Sequence, residues 1–391
     1  MKEKTAKLKS YSSSELIKII TFAVYNICYV LNVCEYIDTI YNYGTLIIFV
    51  CVCIADHIKK NHGMFKIKYK SDLMNFIIFM GFVFVYSIGV QIYHQEFGTY
   101  LYSSLLYLLL PMIIAYCWMV STDSENMDIY FYIFFIRIVL IFLIRYSSIL
   151  SLNVIRLISW GNSKSSLFES NLAHDFLFMT LFFKYKKKNK LALVSTILCL
   201  LSFKRLSFLL SLMILLLYRF IPQKKCEKNI KNVAIAITLI MPIFYGWIIS
   251  KAGQNFFSST FNINLDQLFT GRIYSINKWL NNIPYTNGYG SISYFINIGI
   301  STKNKLSMHC DLYQLMLECS IIAVYCFGRF IFKFVSNYYS FFLAIYIVLE
   351  LFSSQFFINL SFWMCFYMFE FYMRKDTKVK NNEKLYKIMG T

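Results

Sequence analysis

Three ionisable side chains interrupt an apolar segment near the C-terminal end of the chain. The segment MHCDLYQLMLECSIIAVYCF (308–327) carries His309, Asp311 and Glu318. Their spacing places Asp311 and Glu318 on nearly the same face of a helix. We predict a helix capped by Ser307, with this polar face toward the protein interior and a positive dipole end suited to a phosphate. His309 beside that end is a candidate proton acceptor, and a structural role is the alternative.

Cationic side chains outside the basic loops indicate the kind of substrate. Lys204 and Arg205 occupy a short turn in LLSFKRLSFLL, and Arg272 lies in TGRIYSINKWL. Lys204 and Arg205 could instead snorkel to the membrane interface, and a loop arginine is often simply solvated. Arg137, in the middle of an apolar run, needs a partner, and a structural ion pair suits it as well as catalysis does. The surplus of cations favours an anionic substrate.

Familiar catalytic motifs are absent from the sequence. It contains no P-loop, no Rossmann glycine pattern, no GxSxG and no HExxH. No closely spaced pair of carboxylates stands out among the residues that we predict outside the cytoplasm. The 11 cysteines lack the spacing of a metal site. The sequence therefore predicts neither a metal nor a cofactor.

Long apolar blocks predict the elements that must position these residues. The chain is 58% hydrophobic and 15% charged, whereas soluble domains are about 45–50% apolar and about 25% charged. We predict an all-α polytopic membrane protein, with one membrane domain over 1–391. Because about 20 apolar residues cross a bilayer, we predict about twelve transmembrane helices, at 15–33, 39–56, 73–93, 101–120, 129–149, 172–185, 191–203, 206–221, 233–250, 310–328, 337–353 and 355–373.

Basic clusters set the predicted orientation. The stretches 57–70, 184–190 and 222–231 and the tail 374–391 are basic, and twelve spans place them all on the side of the N-terminus. The positive-inside rule then puts both termini in the cytoplasm, with the acidic stretch 121–128 as an exception. The same rule accounts for the net charge of +19, so we predict no nucleic-acid partner. We expect no cleaved signal peptide.

The largest predicted loop, 251–309, precedes the tenth helix and falls outside the cytoplasm. Loops longer than about 15 residues are usually functional or disordered. This one is rich in aromatic residues and has a helical pattern at 272–282. We therefore predict an ordered extracytoplasmic segment that forms part of a site.

Four stretches between residues 150 and 330 share their order and spacing with the motifs of one family. They are LFESNLAHDFLFM with Phe168 and Asn171, LLSFKRLSFLLSLMILLL with Arg205, TGRIYSINKWL and NGYG with Arg272, Trp279, Gly288 and Gly290, and HCDLYQLMLECSIIA with His309 and Glu318. On these motifs the chain resembles the O-antigen and capsular polysaccharide repeat-unit polymerases, the Wzy proteins, which are related to the O-antigen ligases. It departs at Lys204, where serine is usual, and at Ser320 and Ala323, where glycine is common.

The resemblance implies a GT-C-like fold and a metal-independent glycosyltransferase of the bacterial cytoplasmic (inner) membrane. Such an enzyme transfers a growing glycan from undecaprenyl pyrophosphate to the next lipid-linked repeat unit, on the outer face of the membrane. Implied partners are the undecaprenyl-pyrophosphate-linked oligosaccharide, the lipid bilayer, a chain-length regulator and a flippase. No cofactor is implied.

The resemblance also implies roles for individual residues. The implied set is His309 to orient or deprotonate the acceptor hydroxyl, Arg205, Arg272 and Lys204 to bind the pyrophosphate, Trp279 and Tyr289 to contact sugars, and Glu318, Asp311 and Asn171 to form a supporting polar network.

Other functions fit part of the pattern. A ligase that moves finished glycan to another acceptor shares these motifs. A lipid-linked oligosaccharide flippase also has about twelve spans, but it should show two related halves and no long ordered external loop. A multi-span sugar O-acyltransferase would place a catalytic histidine in the first spans, where only Glu35 and Asp38 lie near the outer face.

Overall fold

The computed structural model describes residues 12–64, 67–146, 171–202, 204–221, 224–268, 272–283, 285–299, 308 and 310–389. No β-strand occurs within these ranges. Their α-helices, in chain order, are α1 (Ser13–Val33), α2 (Thr39–Lys60), α3 (Lys70–His94), α4 (Tyr100–Ser121), α5 (Met127–Tyr146), α6 (Leu172–Tyr185), α7 (Asn189–Leu201), α8 (Arg205–Leu217), α9 (Lys228–Ile249), α10 (Lys251–Phe261), α11 (Leu265–Leu268), α12 (Arg272–Asn282), α13 (Ser291–Gly299), α14 (Asp311–Phe334), α15 (Tyr338–Ser353) and α16 (Leu360–Met389).

Seven helical segments in the described ranges are long and apolar enough to cross a membrane. They are Ser13–Val33, Thr39–Lys60, Leu73–His94, Tyr100–Ser121, Ser124–Arg145, Lys228–Ile249 and Asp311–Phe334. Many of their large apolar side chains are exposed on the protein surface, as expected where lipid covers them. The chain is therefore a multi-pass, helical membrane protein, as its composition predicts.

The other five predicted spans coincide with helices that are shorter or only partly apolar. Helices α6, α7 and α8 have 14, 13 and 13 residues, which is about 20 Å of helix against a hydrocarbon core of about 30 Å. Helix α15 has 16 residues, and α16 continues past its apolar part into the basic tail. The total of twelve crossings and the GT-C-like fold stay predictions.

The described part of the segment 251–309 contains four helices, α10 to α13. Helix α12 confirms the helical pattern predicted at 272–282. Its Ile273 and Ile276 pack with Tyr245 of α9 and with Ile292 of α13. The described part of this segment is thus ordered by apolar contacts with the end of a long helix.

The predicted N-cap of α14 was wrong. The helix begins at Asp311 and its N-cap is Cys310, whereas the sequence suggested Ser307. The Cys310 side chain makes no capping hydrogen bond. Asp311 therefore occupies the first turn, where a carboxylate interacts favourably with the helix dipole.

The chain divides into two compact units, each built from separate stretches. Unit 1 comprises Met1–Lys68, Ile114–Leu216 and Arg374–Thr391, and unit 2 comprises Tyr69–Ile113 and Leu217–Met373. The boundaries between the units therefore fall within helices α4 and α16 and before the last residue of α8.

In unit 1, basic side chains cover the C-terminal end of α4. The last carbonyl groups of a helix have no partner within it, and cations suit the negative end of its dipole. Lys375 Nζ donates to the carbonyl oxygens of Met119 and Thr122, Lys18 and Lys60 donate to that of Ser121 at 2.7 and 2.9 Å, and His57 Nδ1 lies 3.2 Å from that of Val120. We call Lys18, Lys60 and Lys375 the lysine cap.

The acidic stretch 121–128 lies at the same end of unit 1. Asp123 pairs with Lys60 at 3.2 Å, and Asp128 pairs with Lys186 at 2.7 Å. Both lysines belong to basic stretches predicted on the cytoplasmic side. The acidic stretch that departs from the positive-inside rule thus contains carboxylates that pair with the basic residues of the same side.

Lys18 is completely buried and joins two carboxylates. Its Nζ lies 2.6 Å from Glu15 Oε2 and 2.8 Å from Asp56 Oδ2. Asp56 also pairs with Lys60 at 3.3 Å, and the Tyr130 hydroxyl donates to Glu15 Oε1 at 3.4 Å. Removing one partner of such a cluster leaves an uncompensated buried charge, which costs about 3–5 kcal/mol.

Replacing Lys18 with methionine is therefore expected to destabilise the protein by about 3–5 kcal/mol. The matched control is Lys224→Met, because Lys224 forms an exposed ion pair with Glu227, and exposed ion pairs contribute little to stability. The measurement is thermal unfolding of the purified proteins in detergent. Equal unfolding temperatures for the two variants would contradict a structural role for the buried cluster.

Candidate functional site

Four residues at and near the turn before α8, in unit 1, form what we call the cationic cluster: Lys204, Arg205, Asn171 and His174. The amide of Phe208 donates to the Lys204 carbonyl at 2.9 Å, so Lys204 occupies the N-cap position of α8. Its Nζ donates to Asn171 Oδ1 at 3.1 Å and contacts His174 Nε2 at 2.5 Å. The structure thus brings together Lys204 and Asn171, both predicted site residues, and adds a histidine.

The contacts of His174 define its tautomer. An ammonium group can only donate, so His174 Nε2 accepts from Lys204 and the ring is neutral with its proton on Nδ1. That Nδ1 lies 3.5 Å from the Ser207 hydroxyl, in the first turn of α8. The buried ring therefore joins Lys204 to the helix that follows it.

Positive charge accumulates at the start of α8. Lys204 is the N-cap residue and the exposed Arg205 is the first helical residue. The amino end of a helix also carries a partial positive charge. Two cations at this end are unfavourable for the helix by itself but favourable for binding an anion, above all a phosphate.

Next to this cluster lies an intramembrane arginine. Arg137 of α5 is buried, with its guanidinium carbon 4.3 Å from the ring centroids of both Tyr29 and Phe134. Its charge also acts on the buried carboxylate of Asp175, the neighbour of His174 on α6. The aromatic contacts and the nearby carboxylate favour the structural interpretation of Arg137.

The cationic cluster and the lysine cap lie at opposite ends of unit 1. Asn171 and His174 are at the amino end of α6, while Tyr185 at its carboxyl end donates to Asp376 Oδ2 at 2.6 Å, one residue beyond Lys375. The 14 residues of α6 span about 20 Å. If the lysine cap faces the cytoplasm, the cationic cluster faces the other side.

In unit 2, the NGYG motif forms a tight turn that admits no side chain at either glycine. Gly288 and Gly290 have φ values of +83° and +87°. A Cβ atom at Gly288 would lie 2.7 Å from Ser87 Cβ, and one at Gly290 would lie 2.3 Å from Ser104 Oγ. The turn therefore needs glycine for its backbone conformation and also for its close approach to α3 and α4.

Glu318 holds this turn against α14. Its Oε2 accepts from the Gly290 amide at 2.8 Å, and its Oε1 accepts from the Ile292 amide at 2.7 Å and from Gln314 Nε2 at 3.0 Å. The carboxylate thus caps the amino end of α13 from a neighbouring helix. Its neighbours make Glu318 a positioning group rather than a proton acceptor aimed at a substrate.

Asp311 forms an equivalent anchor at the amino end of α14. Its Oδ2 accepts from the amides of Phe356 and Phe357 at 2.5 and 2.6 Å, in the connection before α16. Both carboxylates are buried, as the predicted inward face requires. Each holds backbone amides of another segment.

Tyr289 and Trp279 are the two residues predicted to contact sugars, and the structure describes only the side chain of Tyr289. The Tyr289 side chain is only 6% exposed and meets the Phe357 ring edge-on at 6.4 Å. Burial raises the pKa of its hydroxyl well above the ordinary value. Tyr289 is thus largely buried in this conformation, and its contact with a sugar stays a prediction. Trp279 lies on α12, and its side chain is outside the described part of the structure.

The remaining predicted residues are placed only in part. Arg272 begins α12, but its side chain is not described, and His309 lies outside the described residues. Their roles stay predictions. Among the described residues, no group of three or more His, Cys, Asp or Glu side chains is placed to hold a metal ion.

His174 and Asp175 were missed at the sequence level. They sit in LFESNLAHDFLFM, the stretch from which only Phe168 and Asn171 were selected. Two adjacent ionisable residues inside a predicted span are a functional signal in themselves.

Helix α14 is broken just after Glu318. Ser320 has φ +74° and ψ 168°, a backbone region occupied almost only by glycine and costly for other residues by about 1–3 kcal/mol. Ser320 is one of the two positions at which the family that the chain resembles commonly has glycine. The strained residue lies two positions from the carboxylate that holds the NGYG turn.

Comparison of the chain with protein-family models, with curated proteins and with solved structures gives no match.

Replacing Ser320 with glycine is expected to stabilise the protein by about 1 kcal/mol, because it relieves backbone strain. Ala323→Gly is the matched control: Ala323 lies in the regular part of the same helix, where glycine costs about 1 kcal/mol. Thermal unfolding in detergent should therefore shift in opposite directions for the two variants. A loss of stability in both would show that Ser320 is not strained.

Proposed function

We propose that the chain is an oligosaccharide repeat-unit polymerase of the bacterial cytoplasmic membrane. The observation that carries the proposal is the cationic cluster of Lys204, Arg205, Asn171 and His174, at the end of unit 1 opposite the lysine cap. The positive-inside rule assigns the lysine cap to the cytoplasm. The cationic cluster then faces the outer side, where lipid-linked repeat units are joined.

The chemistry of the transfer explains the need for cations. A hydroxyl oxygen of the acceptor repeat unit attacks the anomeric carbon of the donor glycan, and the bond from that carbon to the phosphate oxygen breaks. Undecaprenyl pyrophosphate leaves with the electron pair, so negative charge grows on the phosphate. Lys204 and Arg205 at the amino end of α8 stabilise that charge.

The proton of the attacking hydroxyl needs an acceptor. In the proposal His309 takes it and Arg272 adds a contact to the pyrophosphate, as the family resemblance implies. The described geometry supports separate roles for the carboxylates, because Glu318 and Asp311 are each occupied by backbone amides. They hold the segments that carry the site rather than taking part in the transfer.

Deletion of the gene followed by sizing of the surface glycan tests the proposal. A polymerase predicts single repeat units on the lipid carrier. Unattached long chains would instead indicate a ligase, and the absence of any surface repeat would indicate a flippase.

Complementation of the deletion with Lys204→Ala or Arg205→Ala is expected to leave mostly single repeat units. Losing one charged hydrogen bond to a phosphate costs about 1.5–3 kcal/mol, or roughly 10- to 100-fold in rate. The matched control is Arg219→Ala, beyond the opposite end of α8, which should restore long polymer. Membrane levels are compared by immunoblot. Long polymer from the Lys204 and Arg205 variants would remove the cluster from the mechanism.

A further inference from the structure

His174 is the histidine of the cationic cluster. Its ring is buried and lies between Lys204 Nζ, at 2.5 Å from Nε2, and the Ser207 hydroxyl, at 3.5 Å from Nδ1. Lys204 and Ser207 belong to the N-cap and first turn of α8, whereas His174 belongs to α6. The ring thus connects the first turn of one helix to the start of another.

These contacts fix the orientation of the Lys204 side chain. A lysine ammonium is a point charge on a flexible stem, and it loses rotamer freedom when it is fixed. Two acceptors, Asn171 Oδ1 and His174 Nε2, hold it beside the amino end of α8. An ammonium that is already fixed there spends less free energy on ordering when an anion binds.

This arrangement works only while the imidazole is neutral. Protonation of His174 Nε2 would remove the acceptor and place a second positive charge 2.5 Å from Lys204 Nζ. Asp175, the next residue of α6, interacts electrostatically with Arg137 of α5, and Cys199 of α7 donates to the Ala173 carbonyl at 3.4 Å.

We propose that His174 is a positioning residue, which as a neutral imidazole fixes Lys204 to bind the pyrophosphate of the lipid-linked substrate. The inference rests on the proposed function for the identity of the substrate. It does not make His174 the proton acceptor of the transfer, because its Nε2 is already occupied by Lys204.

Two substitutions separate positioning from simple structural support. His174→Gln keeps an oxygen acceptor near the place of Nε2 but cannot be protonated near neutral pH. His174→Leu removes the acceptor and keeps an apolar side chain of similar bulk. Gel filtration and thermal unfolding in detergent establish that both variants are folded.

The binding experiment uses farnesyl pyrophosphate, a short polyprenyl pyrophosphate, and the purified full-length protein in detergent. At neutral pH, His174→Leu should weaken binding about tenfold, the effect of losing about 1.4 kcal/mol. His174→Gln should bind within about twofold of the unchanged protein.

Each outcome decides the inference. Equal weakening in both variants would show that His174 does not act by accepting from Lys204. No binding of farnesyl pyrophosphate by the unchanged protein would overturn the inference as well. If binding behaves as expected but gene deletion leaves the glycan unchanged, the positioning role stands and the proposed polymerase function fails.

Discussion

A charge or a backbone polar group that is buried in a membrane protein must find a partner within the protein, and this constraint organises both units. In unit 1 the buried Lys18 lies between Glu15 and Asp56, and the lysine cap covers the free carbonyl groups of α4. In unit 2 the buried carboxylates of Asp311 and Glu318 accept backbone amides from other segments. Such pairs hold helices and loops in register because breaking one leaves a charge without compensation.

The proposed function rests on the cationic cluster of unit 1. Lys204 and Arg205 add positive charge to the positive end of α8, and Asn171 and His174 are among the acceptors of Lys204. A protein tolerates such an arrangement where an anion arrives from outside. The lysine cap, in contrast, combines its cations with carboxylates and helix carbonyl groups, as a structural layer should.

The sequence predicts those features that depend on local pattern. Long apolar runs predicted the helices, and the spacing of Asp311 and Glu318 predicted their buried face. The partners of these residues depend on packing between distant segments. Glu318 binds amides that lie 26 and 28 residues away, and His174 meets a lysine 30 residues away. A pattern read along one helix shows that a polar side chain needs a partner, but it does not show which segment supplies one.

The account depends most directly on the cationic cluster and the lysine cap facing opposite sides of the membrane. The measurement is the activity of a phosphatase reporter that works only outside the cytoplasm, fused in separate proteins after Lys187 and after Arg205. These positions flank α7, at the two ends of unit 1. We predict an inactive reporter after Lys187 and an active one after Arg205. The reverse pattern would place the cluster in the cytoplasm and contradict its assignment to a substrate on the outer face.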